Sequence, residues 1–161
     1  MRVLLPIAAA GGGASGPEAP RTPEPKRTGS HVVMVVDDEI SLRRVMTRFL
    51  ERTGYVVIGA SSAHEALDLL DACDWRVDLV ITDMVMPRMG GREFVLRLRA
   101  RRPELPVLCI SGHVDAGEEG SDERDAPWSA GRLLQKPFNF PAFAERVREA
   151  LGERAVADRE A

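Results

Sequence analysis

Three carboxylates, a hydroxyl and an ammonium stand where runs of apolar residues end. Asp37-Asp38 follow Val32-Val33-Met34-Val35-Val36, and Asp83 follows Val80-Ile81-Thr82. Ser111 follows Val107-Leu108-Cys109-Ile110, and Lys136 follows Leu133-Leu134-Gln135. Lys136 is one of two lysines beside twenty arginines, so a compact point charge is kept here in a chain that otherwise uses planar guanidinium forks. Carboxylates brought together repel by about 4 kcal/mol per pair at 4 Å in an effective dielectric of 20. Such a cluster needs protons or a divalent cation. Oxygen ligands without histidine favour Mg²⁺, which keeps several waters and takes further ligands from phosphate. A carboxylate beside that cation, a lysine and a hydroxyl is equipped for nucleophilic attack on a phosphoryl group, with the charges stabilising its equatorial oxygens.

The elements that must position these groups alternate between two periodicities. The continuous β-branched run 32–36 reads as a buried strand. Leu42, Val45, Met46, Phe49 and Leu50 then form a helical stripe ended by Thr53-Gly54. Residues 55–59 are expected as a second strand, and Ser62-x-x-Glu65 as a capping box opening a helix through Ala66, Leu67, Leu69 and Leu70. A third strand is expected over 77–82. Gly90-Gly91 break the chain before a helix carrying Phe94, Val95 and Leu98. Strands over 107–110 and 133–135 follow, and Asn139 caps a last helix with Phe140, Phe143, Val147 and Leu151 on one face. Five strands alternating with helices predict an α/β fold, a doubly wound parallel sheet with helices on both faces. In such sheets ligands bind outside the carboxyl ends of the strands, which is where the acids and the lysine stand.

Composition narrows the function classes. A chain of 161 residues, 44% apolar and 29% charged, suits one globular domain with tails. The formal net charge of −3 argues against a general nucleic-acid binder. Cys73 and Cys109 are too few for a zinc site and read as reduced core thiols of a cytoplasmic protein. Residues 1–31 are expected to be a disordered leader or linker, since five of eleven prolines and five of fourteen glycines fall before residue 31. Its apolar run is short and broken by Pro6, which disfavours a signal peptide. Gly11-Gly12-Gly13-Ala14-Ser15-Gly16 fits G-x-G-x-x-G, but Pro17, Pro20, Pro23 and Pro25 follow where a dinucleotide site needs a helix. The folded unit is expected over 32–151, with 152–161 as a polar tail.

Taken in order, the motifs resemble one family. Val35-Val36-Asp37-Asp38-Glu39, Ile81-Thr82-Asp83-Met84-Val85-Met86-Pro87-Arg88-Met89-Gly90-Gly91, Ile110-Ser111-Gly112 and Gln135-Lys136-Pro137-Phe138 are similar to the receiver domain of two-component response regulators. The resemblance implies a flavodoxin-like strand order 2-1-3-4-5. It implies that Asp83 accepts a phosphoryl group from a histidine kinase or a histidine phosphotransfer protein. Asp38, Asp83 and the carbonyl of Val85 would hold Mg²⁺, with Asp37 acting through water. Ser111 and Lys136 would contact the phosphoryl oxygens, Gly112 would leave the acceptor accessible, and the Lys136-Pro137 bond would be cis. Such a domain assists its own phosphorylation and dephosphorylation but is not an enzyme acting on a separate substrate. No nucleic acid or membrane partner is expected.

Two positions depart from the family pattern. Leu133 occupies the switch position that usually carries Tyr or Phe and works with Ser111. Between residues 115 and 125 lie six acids and one arginine, with Gly117 and Gly120 among them, so the helix between the fourth and fifth strands is expected to be short or irregular. With ten residues after Leu151, no output domain is expected to follow. The leading expectation is a single receiver signalling through protein contacts. The alternative is the detached C-terminal receiver of a hybrid histidine kinase. An aspartate-nucleophile phosphatase would need a second Asp where Val85 stands, and a degenerate docking module would not need the full acceptor set.

Overall fold

The computed structural model describes residues 30–112 and 133–160, with side chains to residue 152. Five parallel strands form one sheet in the order β2-β1-β3-β4-β5. They are β1 (Val32–Val36), β2 (Val56–Ala60), β3 (Leu79–Asp83), β4 (Val107–Ser111) and β5 (Leu133–Gln135). The helices among the described residues are α1 (Ile40–Arg52), α2 (Ala63–Ala72), α3 (Gly91–Arg101) and α4 (Phe140–Glu160). The expected 2-1-3-4-5 sheet is therefore present. Residues 1–29 of the expected leader and the acidic stretch 115–131, with the short or irregular helix expected there, lie outside the described residues; His31, the leader's last residue, accepts the Val56 amide at 3.0 Å.

Period-two alternation splits the core into two layers. Met34 and Val36 of β1 face α2 and α3, in a cluster with Leu70, Val80, Phe94, Val95 and Leu98. Val33 and Val35 face α1 and α4, in a cluster with Met46, Leu50, Ile81, Phe143 and Val147. β3 is buried along its whole length, as a central strand with helices on both faces must be. On the second face Phe143 sits among Phe49, Phe138 and Phe140 with ring centroids 5.5 to 6.3 Å apart.

Several boundaries move from their expected places. β3 starts at Leu79 rather than residue 77; just before it Asp78 is tied to the start of β1 twice, its amide donating to Val32 O at 2.7 Å and its carboxylate accepting the Val32 amide at 2.8 Å. Asp83 and Ser111 are the last residues of their strands rather than the first residues after them. β2 spans Val56–Ala60, one residue later than expected. Val45 is not in the core; it is 47% exposed, and only Met46 and Leu50 of α1 are fully buried. The box at α2 is also altered. Ser62 caps the Glu65 amide at 3.1 Å, but the Glu65 carboxylate returns to the amide of Ser61 at 2.6 Å, not to Ser62. The last helix runs on through residues read as a tail.

Candidate functional site

The carboxyl ends of β1, β3, β4 and β5 meet at one rim. Backbone hydrogen bonds fasten it: Asp37 N donates to Ala60 O at 3.2 Å, Met84 N to Ile110 O at 2.9 Å, and Lys136 N to Ser111 O at 2.7 Å. Asp83 is in register with Ile110, and Ser111 with Gln135, so the hydroxyl and the lysine leave adjacent strand ends. The Lys136-Pro137 bond is cis, as expected.

Asp37, Asp38 and Asp83 each bring a carboxylate oxygen within 4.8 Å of the others. Asp37 is fully buried and Asp83 nearly so, whereas Asp38 is exposed. Asp83 is held at both oxygens: Oδ1 accepts from the Val85 amide at 2.9 Å and Oδ2 from Lys136 Nζ at 2.9 Å. Asp37 Oδ1 accepts from the Glu39 amide at 2.8 Å. Its Oδ2 is buried with no hydrogen-bond partner among the described residues, and Lys136 Nζ stands 3.9 Å away, too far to donate. A buried carboxylate oxygen with no donor calls for a cation, and an all-oxygen donor set fits Mg²⁺.

The electrostatics agree with that geometry. Burial pushes the Asp37 carboxyl above its ordinary range; the Glu39 amide and Lys136 oppose the shift, and Asp83 and Asp38 add to it. Burial works against the charge on Lys136, but the hydrogen bond and charge of Asp83, with Asp37 and Glu39, outweigh it and raise the ammonium above its usual value. Lys136 therefore stays charged at neutral pH.

The structure thus brings together Asp37, Asp38, Asp83 and Lys136. Ser111 is half-buried at the end of β4, and Val85 is 70% exposed two residues beyond Asp83. Leu133 opens β5 opposite Cys109 and is 42% exposed, so its side chain is not packed away. At Gly112 a side chain would meet, among the described residues, nothing nearer than Lys136 Cδ at 3.9 Å. Sequence reasoning missed Arg43, whose guanidinium donates to the Asp37 carbonyl at 2.6 Å and ties α1 to the rim. In an arginine-rich chain, Arg43-Arg44 carries no signal that separates the one turned inward from a solvated neighbour. Cys109 is buried in β4, and the Cys73 thiol donates to the Leu70 carbonyl at 3.4 Å, in keeping with core thiols. No helix among the described residues is long and apolar enough to cross a membrane.

Comparison with known proteins bears on the same residues. Residues 33–148 match the model of the response regulator receiver domain. The chain is 33% identical over 124 residues to Sensor kinase CckA of Brucella abortus, spanning 77% of this chain and 13% of that protein. It is 36% identical over 121 residues to Response regulator MprA of Mycolicibacterium vanbaalenii, spanning 74% of this chain and 49% of the relative. The chain therefore spans half or less of these curated relatives. Among solved structures, chemotaxis response regulator CheY4 of Vibrio cholerae superposes with a TM-score of 0.64 at 31% identity, over 76% of this chain and 99% of that one. The receiver domain of the hybrid histidine kinase CckA superposes with a TM-score of 0.61 at 29% identity, over 74% and 98%. A flavodoxin-like sheet, an aspartate cluster capped by a lysine and a match spanning most of the chain have one common explanation: the protein belongs to the receiver domain family of two-component signalling.

Proposed function

We propose that Asp83 is the phosphoacceptor of this receiver and takes its phosphoryl group from a phosphohistidine of a histidine kinase or phosphotransfer protein. The observation that carries the reading is the Lys136 ammonium hydrogen-bonded to Asp83 Oδ2 at 2.9 Å within the three-carboxylate cluster. An Asp83 oxygen forms the new O–P bond as the P–N bond to the donor imidazole breaks and the imidazole leaves with the electron pair. Lys136 is then adjacent to charge developing on the phosphoryl oxygens, and the Ser111 hydroxyl supplies a hydrogen bond to one of them. Asp38, Asp83 and the Val85 carbonyl would hold Mg²⁺, with Asp37 acting through water; the ion supplies charge neutralisation at the transferring group. Leu133 and Ser111 occupy the switch positions, and with no ring at Leu133 the phosphorylated state is reported without an aromatic rotation.

The donor protein is proposed to lie across the groove beside Lys136. This groove of about 440 Å³ is walled by Leu42, Val45, Pro137, Phe138 and Phe140, with Glu39 at its edge. It explains why Val45 is apolar yet outside the core. The domain works in the cytoplasm through protein contacts and assists its own phosphorylation and dephosphorylation. A second reading, favoured by the match to a short segment of Sensor kinase CckA, is the receiver of a hybrid histidine kinase, with the same acceptor chemistry. Incubation with a small-molecule phosphodonor and Mg²⁺ tests the assignment. One acid-stable, base-labile phosphoryl group is expected on the wild type and none on Asp83→Asn; equal labelling of that variant refutes it.

A further inference from the structure

α3 begins directly against the peptide that follows the acceptor. Buried Gly91 donates its amide to Met84 O at 3.0 Å. A Cβ at Gly91 would lie 2.6 Å from the Asp83 carbonyl oxygen, 2.6 Å from Met84 Cα and 3.0 Å from Met84 Sδ. Non-bonded heavy atoms rest near 3.5–4.0 Å, so all three approaches are repulsive. The thioether can swing aside, but the two nearer atoms are backbone.

That backbone has little slack. Met84 N is tied to Ile110 O at 2.9 Å, and the Val85 amide is tied to Asp83 Oδ1 at 2.9 Å. Retreat of α3 is also opposed, because Arg88 at φ 70° closes a tight three-residue turn in which Met89 N donates to Pro87 O at 2.9 Å. Gly90 is different. Its φ of −70° suits any residue, and a Cβ there would meet Met84 O at an ordinary 3.7 Å.

We propose that Gly91 is a positioning residue for the acceptor: its missing side chain lets the start of α3 seat on the Asp83–Met84 peptide and so sets the reach of the Asp83 carboxylate toward Asp37, Asp38 and Lys136. The inference rests on Asp83 being the acceptor. The test compares wild type, Gly91→Ala, Gly90→Ala and, as a control for lost stability, Leu70→Ala, which hollows the α2/α3 layer away from the rim. Three quantities are read per folded molecule: affinity for Mg²⁺ alone, the rate of labelling by a small phosphodonor, and the chemical shift of the Val85 amide. Gly91→Ala is expected to lose about tenfold or more in affinity and rate, since small misplacements of reacting groups cost that much. Its Val85 amide resonance is expected to move, whereas Gly90→Ala and Leu70→Ala keep the wild-type values. Should Gly91→Ala fold poorly alone, the measurements are made with trimethylamine N-oxide, which favours the compact state. A folded Gly91→Ala that binds Mg²⁺ and labels like wild type overturns the proposal. Failure of the acceptor reading is distinguishable, since it appears as undiminished labelling of Asp83→Asn.

Discussion

Replacing Asp37 by Asn is expected to make the metal-free protein more stable and the Mg²⁺-containing protein comparatively less so. The Glu39 amide fixes the orientation, because Oδ1 must stay its acceptor. The new amide nitrogen then takes the place of buried, unpartnered Oδ2, and the negative charge of Asp37 is gone. With the carboxylate oxygens at most 4.8 Å apart and an effective dielectric of 20, each carboxylate repels ionised Asp37 by about 3 kcal/mol or more, and Lys136 at 3.9 Å returns about 4 kcal/mol. Some 2–3 kcal/mol of repulsion is left, and screening through exposed Asp38 lowers the expected gain to about 1–2 kcal/mol. At about 4 °C per kcal/mol this is a rise of roughly 4–8 °C in Tm in EDTA. The gain depends on pH with a definite sign. The Asp37 pKa is raised in the folded state from 3.8, so the wild type loses stability as pH climbs from there through the raised value. The advantage of the Asn variant is absent below about pH 4 and complete above the raised pKa. Mg²⁺ reverses the comparison by stabilising whichever protein binds it better, about 1.4 kcal/mol for each tenfold excess over Kd. Thermal melts across an Mg²⁺ titration should give curves that cross. A variant that melts below wild type in EDTA, or that gains as much from Mg²⁺, would refute the reasoning.

Lys136→Met removes the donor to Asp83 Oδ2 and the cation facing Asp37, so Mg²⁺ affinity measured by titration should rise while phosphodonor labelling falls about a hundredfold. Ser62→Ala removes the cap on the Glu65 amide and should cost α2 about 1 kcal/mol in a urea melt, with no change in Mg²⁺ affinity; a loss at the rim would mean that the two are coupled.

The candidate site was legible because β-branched runs announce strands, and parallel strands covered by helices deliver their last residues to one rim. Asp37, Asp38, Asp83 and Lys136 were readable on those grounds, and the strand order followed from the resemblance of the motifs. What stayed hidden depends on approach in three dimensions. Gly90 and Gly91 look alike in the chain, and only the proximity of the Asp83–Met84 peptide separates a tolerant glycine from an obligatory one. Val45 fits the α1 stripe by spacing, yet the stripe is wider than the layer it covers, and the residue falls on the groove side. Asp78 looked like part of a strand because its neighbours are apolar; that its carboxylate, and not its carbonyl, takes the Val32 amide at the start of β1 is visible only in three dimensions.

The sheet also divides the molecule's capacity to change. Among the described residues, the buried side chains over α1 and α4 and those over α2 and α3 form separate clusters, with alternate residues of β1 committed to opposite sides. Substitutions without shared neighbours combine nearly additively. The groove beside Lys136 is built from the α1/α4 side, whereas the seat of Gly91 belongs to the other. On the proposed reading of the groove and of Asp83, partner choice can be rewritten on one layer while the fit of the loop after Asp83 is kept on the other. A lineage that duplicates such a domain can diverge in which donor it hears before it alters how it responds.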